Sequence, residues 1–408
     1  MSLDKLPKTK AVLEQGRSDG MHHGAQLCVL HRGKTVCDGA MGERRPGEPL
    51  KPQHLMLWLS AGKPLTAAAA LKLCEPDWEG GAAMPALRLD EPIGRSLPEF
   101  LAGHDDPRRR QITVRHLLTH TAGLSEIDVG YPDVPWEESI RRLCNAPLAD
   151  DWAVGRDGAY SPKAGWFLLG EIVRRAAAWQ ADDDDDEDWD DDEDEEDPVS
   201  AASNGASAPD LIDLTARLWG GRSVLDGRLA FQKEDLAIVR PQLAPMYRRE
   251  KGELVDAGMQ TDAHLTRISP GSSLRAPAKT VAGFYRRLLE HDGGAPGDAF
   301  LTGLSVDAMT ARHRVGVRDR TFQHDVDFGL GVIVDSNRYG AETVPYGFGP
   351  HCSPRTFGHG GSQSTMAFGD PENELAVAWA TNGMCGEPKH QRRNRAINAA
   401  IYEDLGLT

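Results

Sequence analysis

Hydrophobic and polar positions along this chain change their rhythm twice, from strand-like to helical and back. Near the N-terminus, two apolar runs over residues 26–31 and 34–39 flank Arg32-Gly33. Two such runs parted by a two-residue, glycine-containing break predict a β-hairpin. After a polar loop, residues 55–59 lead into Ser60-Ala61-Gly62-Lys63-Pro64 and then into the Ala- and Leu-rich stretch 65–73, which reads as a buried helix. Proline lacks an N–H and is tolerated only in a helix's first turn, so Pro64 marks the start and puts Ser60 at the N-terminus. Residues 112–120 predict a short helix capped by Thr113 and ending at Gly123. Over 164–178, Phe167, Leu168, Ile172 and Val173 recur at helical spacing, and a further helix is expected near 280–290. The C-terminal part returns to strands at 328–334, 355–358, 364–368 and 375–380, before a last helix over 392–404.

With strands at both ends and helices between, the economical arrangement is one antiparallel sheet built from both termini and covered by helices. The expected α/β domain takes residues 1–105 and 300–408, with a mostly helical domain over 106–299. Charge adds one feature to this picture. The 408 residues carry 62 acids against 46 Lys and Arg, a formal charge of −16, yet residues 182–197 alone hold 15 acids interrupted by Trp189. Without them 47 acids face 46 bases, so the acidity is local and no basic surface for nucleic acid is expected. This run and the Ser-, Ala-, Asn- and Gly-rich stretch behind it cannot bury enough apolar surface to offset ordering, which predicts a disordered insertion over 181–208. The start MSLDKLPKTK has no apolar segment behind it and no run of about 18 apolar residues occurs, so a cytoplasmic chain without a membrane partner is expected. Six scattered cysteines, among them Cys28 and Cys37 on the predicted hairpin, read as free thiols of a reducing compartment.

Candidate chemistry centres on Ser60-Ala61-Gly62-Lys63, an S-x-x-K pattern. Spacing i, i+3 sets the hydroxyl and the amine on one helix face, where a desolvated Lys can lose its charge and take the Ser proton. Ser2 to Lys5 matches the same pattern in a tail and carries no meaning. Gly16-Arg17-Ser18-Asp19-Gly20 matches G-x-S-x-G but precedes the first strand, where a nucleophile elbow cannot form, and reads as a turn. His116 and His120 lie at i, i+4 but lack the Glu and third ligand of a zinc site, so a structural role is expected. The acidic run lacks the Gly and alternating spacing of a calcium loop. No metal and no cofactor is therefore implied. Tyr160-Ser161-Pro162 opens the 164–178 helix, and Phe357-Gly358-His359-Gly360-Gly361-Ser362 is expected between two strands, its glycines letting a substrate approach an edge strand's backbone.

In order, these pieces resemble the serine β-lactamase and penicillin-binding-protein superfamily, in the class C branch that includes the family VIII carboxylesterases. The resemblance rests on Ser60 to Lys63, on Leu89-Asp90-Glu91-Pro92 and Leu97-Pro98-Glu99-Phe100, and on the block ITVRHLLTHTAGL over 112–124. Tyr160-Ser161, Gly271-Ser272-Ser273-Leu274 and Phe357 to Gly361 complete it. It implies an α/β part with an antiparallel sheet and an all-α part, with the active site between them. It also implies Ser60 as the acylated nucleophile, Lys63 as its base or relay, and Tyr160 as the second-motif tyrosine that passes the proton to the leaving group. The amides of Ser60 and Ser362 would form the oxyanion hole, Gly360 and Gly361 would flank the substrate, and His359 would stand where β-lactamases carry Lys. For Tyr160 to act as a base near neutrality, a cation such as Lys63 has to lower its pKa from about 10. Pro162 in place of the motif's usual Asn, and His359 in place of Lys, point away from β-lactams. The expected partner is a small-molecule ester, cleaved through an acyl-enzyme. An amidase, D-aminopeptidase or β-lactamase-type hydrolase of the same fold, and a non-catalytic binding or scaffold protein using the acidic arm, are the alternatives.

Overall fold

The computed structural model describes residues 2–76, 86–124, 127–183, 215, 223–290 and 300–408; the insertion expected over 181–208 lies outside them beyond Asp183. The hairpin forms as its turn residues dictate. Strands β1 (Gly24–His31) and β2 (Lys34–Arg45) close on the pair His31↔Lys34. Arg32 and Gly33 hold φ of 50° and 70°, the left-handed pair whose twist matches the strands it joins.

Five more strands extend this hairpin: β3 (Glu48–Pro49), β4 (Ile333–Val334), β5 (Phe357–Gly361), β6 (Thr365–Asp370) and β7 (Leu375–Thr381). They lie in the order β4-β5-β6-β7-β1-β2-β3, every neighbour antiparallel, so the sheet is built from both ends of the chain. Alternation along β7 shows how each face is filled. Val377 and Trp379 join the cluster of Leu13, Ile397 and Tyr402 from the helices Pro7–Ser18 and Glu387–Leu405. Ala376, Ala378 and Ala380 face the other way, toward Val281, Ala282 and Tyr285 of the helix Ala278–Leu289. Small side chains on that face let the helix lie close to the sheet.

The Lys63–Lys72 helix is buried from Lys63 to Leu71, as a helix apolar all round must be. Pro64 sits in its first turn and a 3₁₀ turn over Leu59–Gly62 leads into it, so Ser60 does stand at the N-terminus. Thr113 caps the Val114–Leu118 helix, its hydroxyl accepting the His116 N–H while the His116 ring accepts the Thr113 N–H. The amphipathic helix runs over Ala164–Asp183.

Four expectations change. The glycine-rich motif over 357–361 is itself strand β5, because three glycines in five residues hide a strand from any propensity reading. Of the strand expected over 328–334, only Ile333–Val334 joins the sheet, while Phe328 makes isolated bridges to Arg314 and Ile333. The helical middle contains an antiparallel pair, Tyr247–Glu250 with Glu253–Asp256. Ser18 ends a helix, its Oγ donating to the Glu14 carbonyl, where a turn was expected. All six cysteines are free. No helix among the described residues is long and apolar enough to cross a membrane.

Candidate active site

The corner containing Ser60 is fixed by the residues just before it. Trp58 donates its amide to the Leu274 carbonyl and its indole N–H to the Ala276 carbonyl, both at 2.8 Å, and its own carbonyl accepts the Thr365 hydroxyl at 2.8 Å. Held on three sides, the chain tolerates a left-handed Leu59, φ 50°, which turns Ser60 into the 3₁₀ turn. Gly361 on β5 makes this approach possible, since a Cβ there would lie 2.2 Å from the Trp58 carbonyl oxygen.

Lys63 points from the same helix start into a fully buried site. Its Nζ lies 2.8 Å from the Pro162 carbonyl, 2.9 Å from the Gly271 carbonyl and 3.1 Å from Ser60 Oγ, and no carboxylate pairs with it. Burial, reinforced by the nearby Lys163 cation, pushes its pKa well below the usual lysine range. A neutral amine has two N–H groups and one lone pair. Nζ donates to all three oxygens; once it has lost a proton, both remaining N–H groups stay on the carbonyls, which only accept, and the lone pair turns to the Ser60 hydroxyl.

The Tyr160 ring lies beneath this amine, 5.2 Å from Nζ to the ring centroid, stacked on Phe322 at 4.8 Å. Its hydroxyl makes no hydrogen bond, although Ser60 stands near enough to offset part of the effect of burial. That effect dominates: burial pushes the phenol above its ordinary range, aided by the Asp319 carboxylate. The expectation that Lys63 lowers Tyr160 is thus reversed, because the cost of burying a phenolate outweighs any pull from the amine.

His359 lies on β5, its ring 5.8 Å from that of Tyr160. Nδ1 is 2.7 Å from the Gly360 carbonyl and must carry the proton there, which leaves Nε2 as a bare, unpartnered acceptor. Burial and the proximity of Lys63 push its pKa down to about 3, so it brings no positive charge to the site. Beyond the pairs Gly358↔Ile333 and Phe357↔Val334, no strand among the described residues covers the outer edge of His359, Gly360 and Gly361. Yet the space beside the two glycines holds protein: a Cβ on Gly360 would lie 2.3 Å from the Tyr346 ring. Neither the Ser60 nor the Ser362 N–H donates to an acceptor among the described residues.

The structure therefore brings Ser60, Lys63, Tyr160 and His359 together with two unspent backbone donors. It also reveals residues the sequence reading passed over. His120, expected to be structural, accepts the Ser161 N–H at Nδ1, and its ring packs 4.8 Å from Tyr160 with Nε2 unpartnered. Lys163, half-buried over the Tyr131 ring, depresses Lys63. Asp319, fully buried, accepts the backbone N–H groups of Tyr160, Thr321 and Phe322 and pairs with Arg314 at 2.8 Å, fixing both Tyr160 and the ring stacked on it. The block 112–124 supplied the signal for His120; nothing near Tyr160 in sequence points to Asp319. Among the described residues no group of side chains could hold a metal ion.

A family model described as Beta-lactamase matches residues 9–401. Esterase EstB of Burkholderia gladioli is 30% identical over 190 residues, which make up 41% of this chain and 44% of the esterase, so the match spans less than half the relative's length. Among solved structures, one described as EstCE1, a hydrolase with promiscuous acyltransferase activity, superposes with a TM-score of 0.71 at 20% identity, covering 98% of this chain and 99% of that one. A family VIII carboxylesterase gives 0.69 at 18% identity over 98% and 97%. At these identities the structural likenesses establish the fold.

Proposed function

The chain belongs to the β-lactamase family, and from that membership we propose that it is a serine hydrolase cleaving carboxylic esters of small or medium acyl chains through an acyl-enzyme on Ser60. The observation that carries this reading is the coordination of Lys63, whose two carbonyl partners leave its lone pair for the Ser60 hydroxyl. As Oγ attacks the ester carbonyl carbon, its proton passes to Nζ, and the charge developing on the carbonyl oxygen meets the Ser60 and Ser362 N–H groups. The ammonium so formed is buried without a carboxylate and is driven to give its proton up again. Tyr160, protonated at rest, hands its own proton to the departing alkoxide and is reprotonated from Lys63. Water repeats the sequence in reverse to release the acid.

His359 suits an ester better than an anionic lactam, since it is neutral where the resemblance places a permanent cation. A reducing compartment suits six unpaired thiols, and the division into residues 1–105 with 300–408 and 106–299 remains part of the proposal. The test is p-nitrophenyl butyrate hydrolysis by the wild type and by Ser60→Ala. Turnover that vanishes in the variant supports the reading, equal activity removes Ser60 from it, and an inert wild type favours the amidase or scaffold alternative.

A further inference from the structure

A cavity of about 520 Å³ opens beside the turn that carries Ser362, walled by Gln363, Gly386, Cys385, Arg248, Arg249 and Lys389. No acid among the described residues lines it, although the Glu387 carboxylate lies close enough to act on Cys385. Arg248 is paired with Glu250. Among the described residues, Arg249 donates only through its Nε, to the Gly252 carbonyl, and Lys389 pairs with no carboxylate. Glu387, the acid nearest on the same helix, is engaged by the Tyr346 hydroxyl at 2.9 Å.

Behind the wall lies a further cation. Arg393, 4% exposed, donates to the carbonyls of Gln363 at 2.7 Å and Gly383 at 3.2 Å, stands between the rings of His22 and His390, and meets no carboxylate. A buried guanidinium paired only with dipoles leaves its charge uncompensated, and that charge lies just behind the concave wall. Gln363 links this charge to the chemistry. It follows Ser362 directly, holds a left-handed φ of 54°, and its side chain accepts the Gly386 N–H at 2.7 Å, pinning the wall. The proposed oxyanion donor, Ser362, is therefore the chain neighbour of a residue on the cavity's rim.

We propose that this cavity binds an anionic group, a carboxylate or phosphate, carried by the substrate ester, so that the enzyme prefers esters with a negative charge at one end. The proposal rests on the esterase reading for its substrate but not for its site. An anion here meets Arg249 and Lys389 directly and Arg393 through the field.

The experiment compares the wild type with the double variant Arg249→Glu, Lys389→Glu on three esters: neutral p-nitrophenyl butyrate, mono-p-nitrophenyl glutarate with its carboxylate on the acyl part, and 3-butanoyloxybenzoate with its carboxylate on the alcohol part. The expected result is an anionic-to-neutral ratio of kcat/KM that falls about tenfold for one anionic ester, corresponding to roughly 1.4 kcal/mol. Which ester responds identifies the half of the substrate that enters the cavity, and raising salt moves the wild-type ratio the same way. A ratio changed less than about twofold for both esters overturns the proposal. Calorimetric titration of glutarate and of inorganic phosphate into both proteins reads the site without turnover; binding undiminished in the double variant, or absent from the wild type, also overturns it. If no ester is hydrolysed while the anions bind the wild type alone, the esterase reading fails and the anion site stands. Lys389→Gln, a milder change, is expected to give an intermediate effect if the double variant is poorly folded.

Discussion

Two buried polar regions lie side by side in this molecule and are treated in opposite ways. In one, around Asp319 and Asp327, every charge is answered. Asp319 takes three backbone N–H groups and Arg314; Asp327 takes Arg312, Arg338, the Tyr339 hydroxyl and the Gly316 N–H. In the other, no carboxylate among the described residues pairs with Lys63, and Tyr160 Oη, His359 Nε2, His120 Nε2 and Trp166 Nε1 make no hydrogen bond among those residues. Lys63, Asp319 and Asp327 are all fully buried, although Arg312 and Arg338 reach solvent and Arg314 Nε is left bare in the first region. Buried polar groups are normally satisfied because leaving one bare costs about 1–3 kcal/mol, so the first region reads as scaffold and the bare atoms of the second fit the proposed substrate site. The satisfied region holds the unsatisfied one in place, since Asp319 grips the backbone of Tyr160 itself.

The sharpest way to break this contrast is to remove one polar group from each region. Lys63→Met takes away the base, and kcat for an ester is expected to fall about 10⁴-fold, in the range for losing one member of such a unit. Stability should change little. The Pro162 and Gly271 carbonyls lose their donor, but a buried amine no longer has to be desolvated, and the two effects offset. Thermal unfolding beside steady-state kinetics checks both halves; a large loss of stability with activity retained would mean that Lys63 is scaffold.

Asp319→Ala is expected to do the reverse. It strands Arg314, 3% exposed, and three backbone donors, which costs about 3–5 kcal/mol for a broken buried pair. Asp319→Asn keeps an acceptor for the N–H groups and should recover part of the loss in chemical denaturation. A stability change below about 1 kcal/mol for the Ala variant would show that water replaces the carboxylate and would dissolve the distinction.

Gly361→Ala probes the seam between β5 and the Ser60 turn. Its Cβ would lie 2.2 Å from the Trp58 carbonyl and from Thr365 Oγ1, forcing β5 away from the Ser60 turn. A displacement of about 1 Å at a reacting centre costs on the order of 10²-fold, so kcat should drop by that factor. Binding of a neutral competitive inhibitor should weaken far less; equal losses in both would indicate general unfolding.

The same contrast explains what was legible in the chain. Local signals held: Arg32-Gly33 for the hairpin, Pro64 for the helix start, Thr113 for its cap, and the i, i+3 placement of Ser60 and Lys63. Each is decided within a few residues. What the sequence hid depends on contacts far apart along it. Asp319 meets Tyr160 across 159 positions, and the direction of the Tyr160 shift depends on how deeply the ring is buried, which no motif states. Strand β5 was concealed for a different reason: its glycines are demanded by Trp58 and Tyr346 packing against it, and they carry no strand propensity of their own.

Lys163 gives the smallest expected effect and the most direct test of why the Lys63 region is left without a counter-charge. Lys63 works as a base only when neutral, and two causes favour that form: burial first, then the like charge of Lys163. A lysine whose pKa is depressed is charged below that pKa, so activity is present above it and lost as pH falls through it. Lys163→Gln removes the repulsion and leaves burial in place. The ammonium at position 63 then becomes easier to form, its pKa rises, and the acid limb of kcat/KM for a neutral ester moves to higher pH while the plateau stays where it was. A pH profile of both proteins on p-nitrophenyl butyrate reads the shift, and added salt should weaken it only slightly, because Lys63 is fully buried and Lys163 half-buried. An acid limb moving to lower pH would mean that Lys163 holds the amine in place and does not repel its charge, and an unmoved limb would assign that limb to a group other than Lys63.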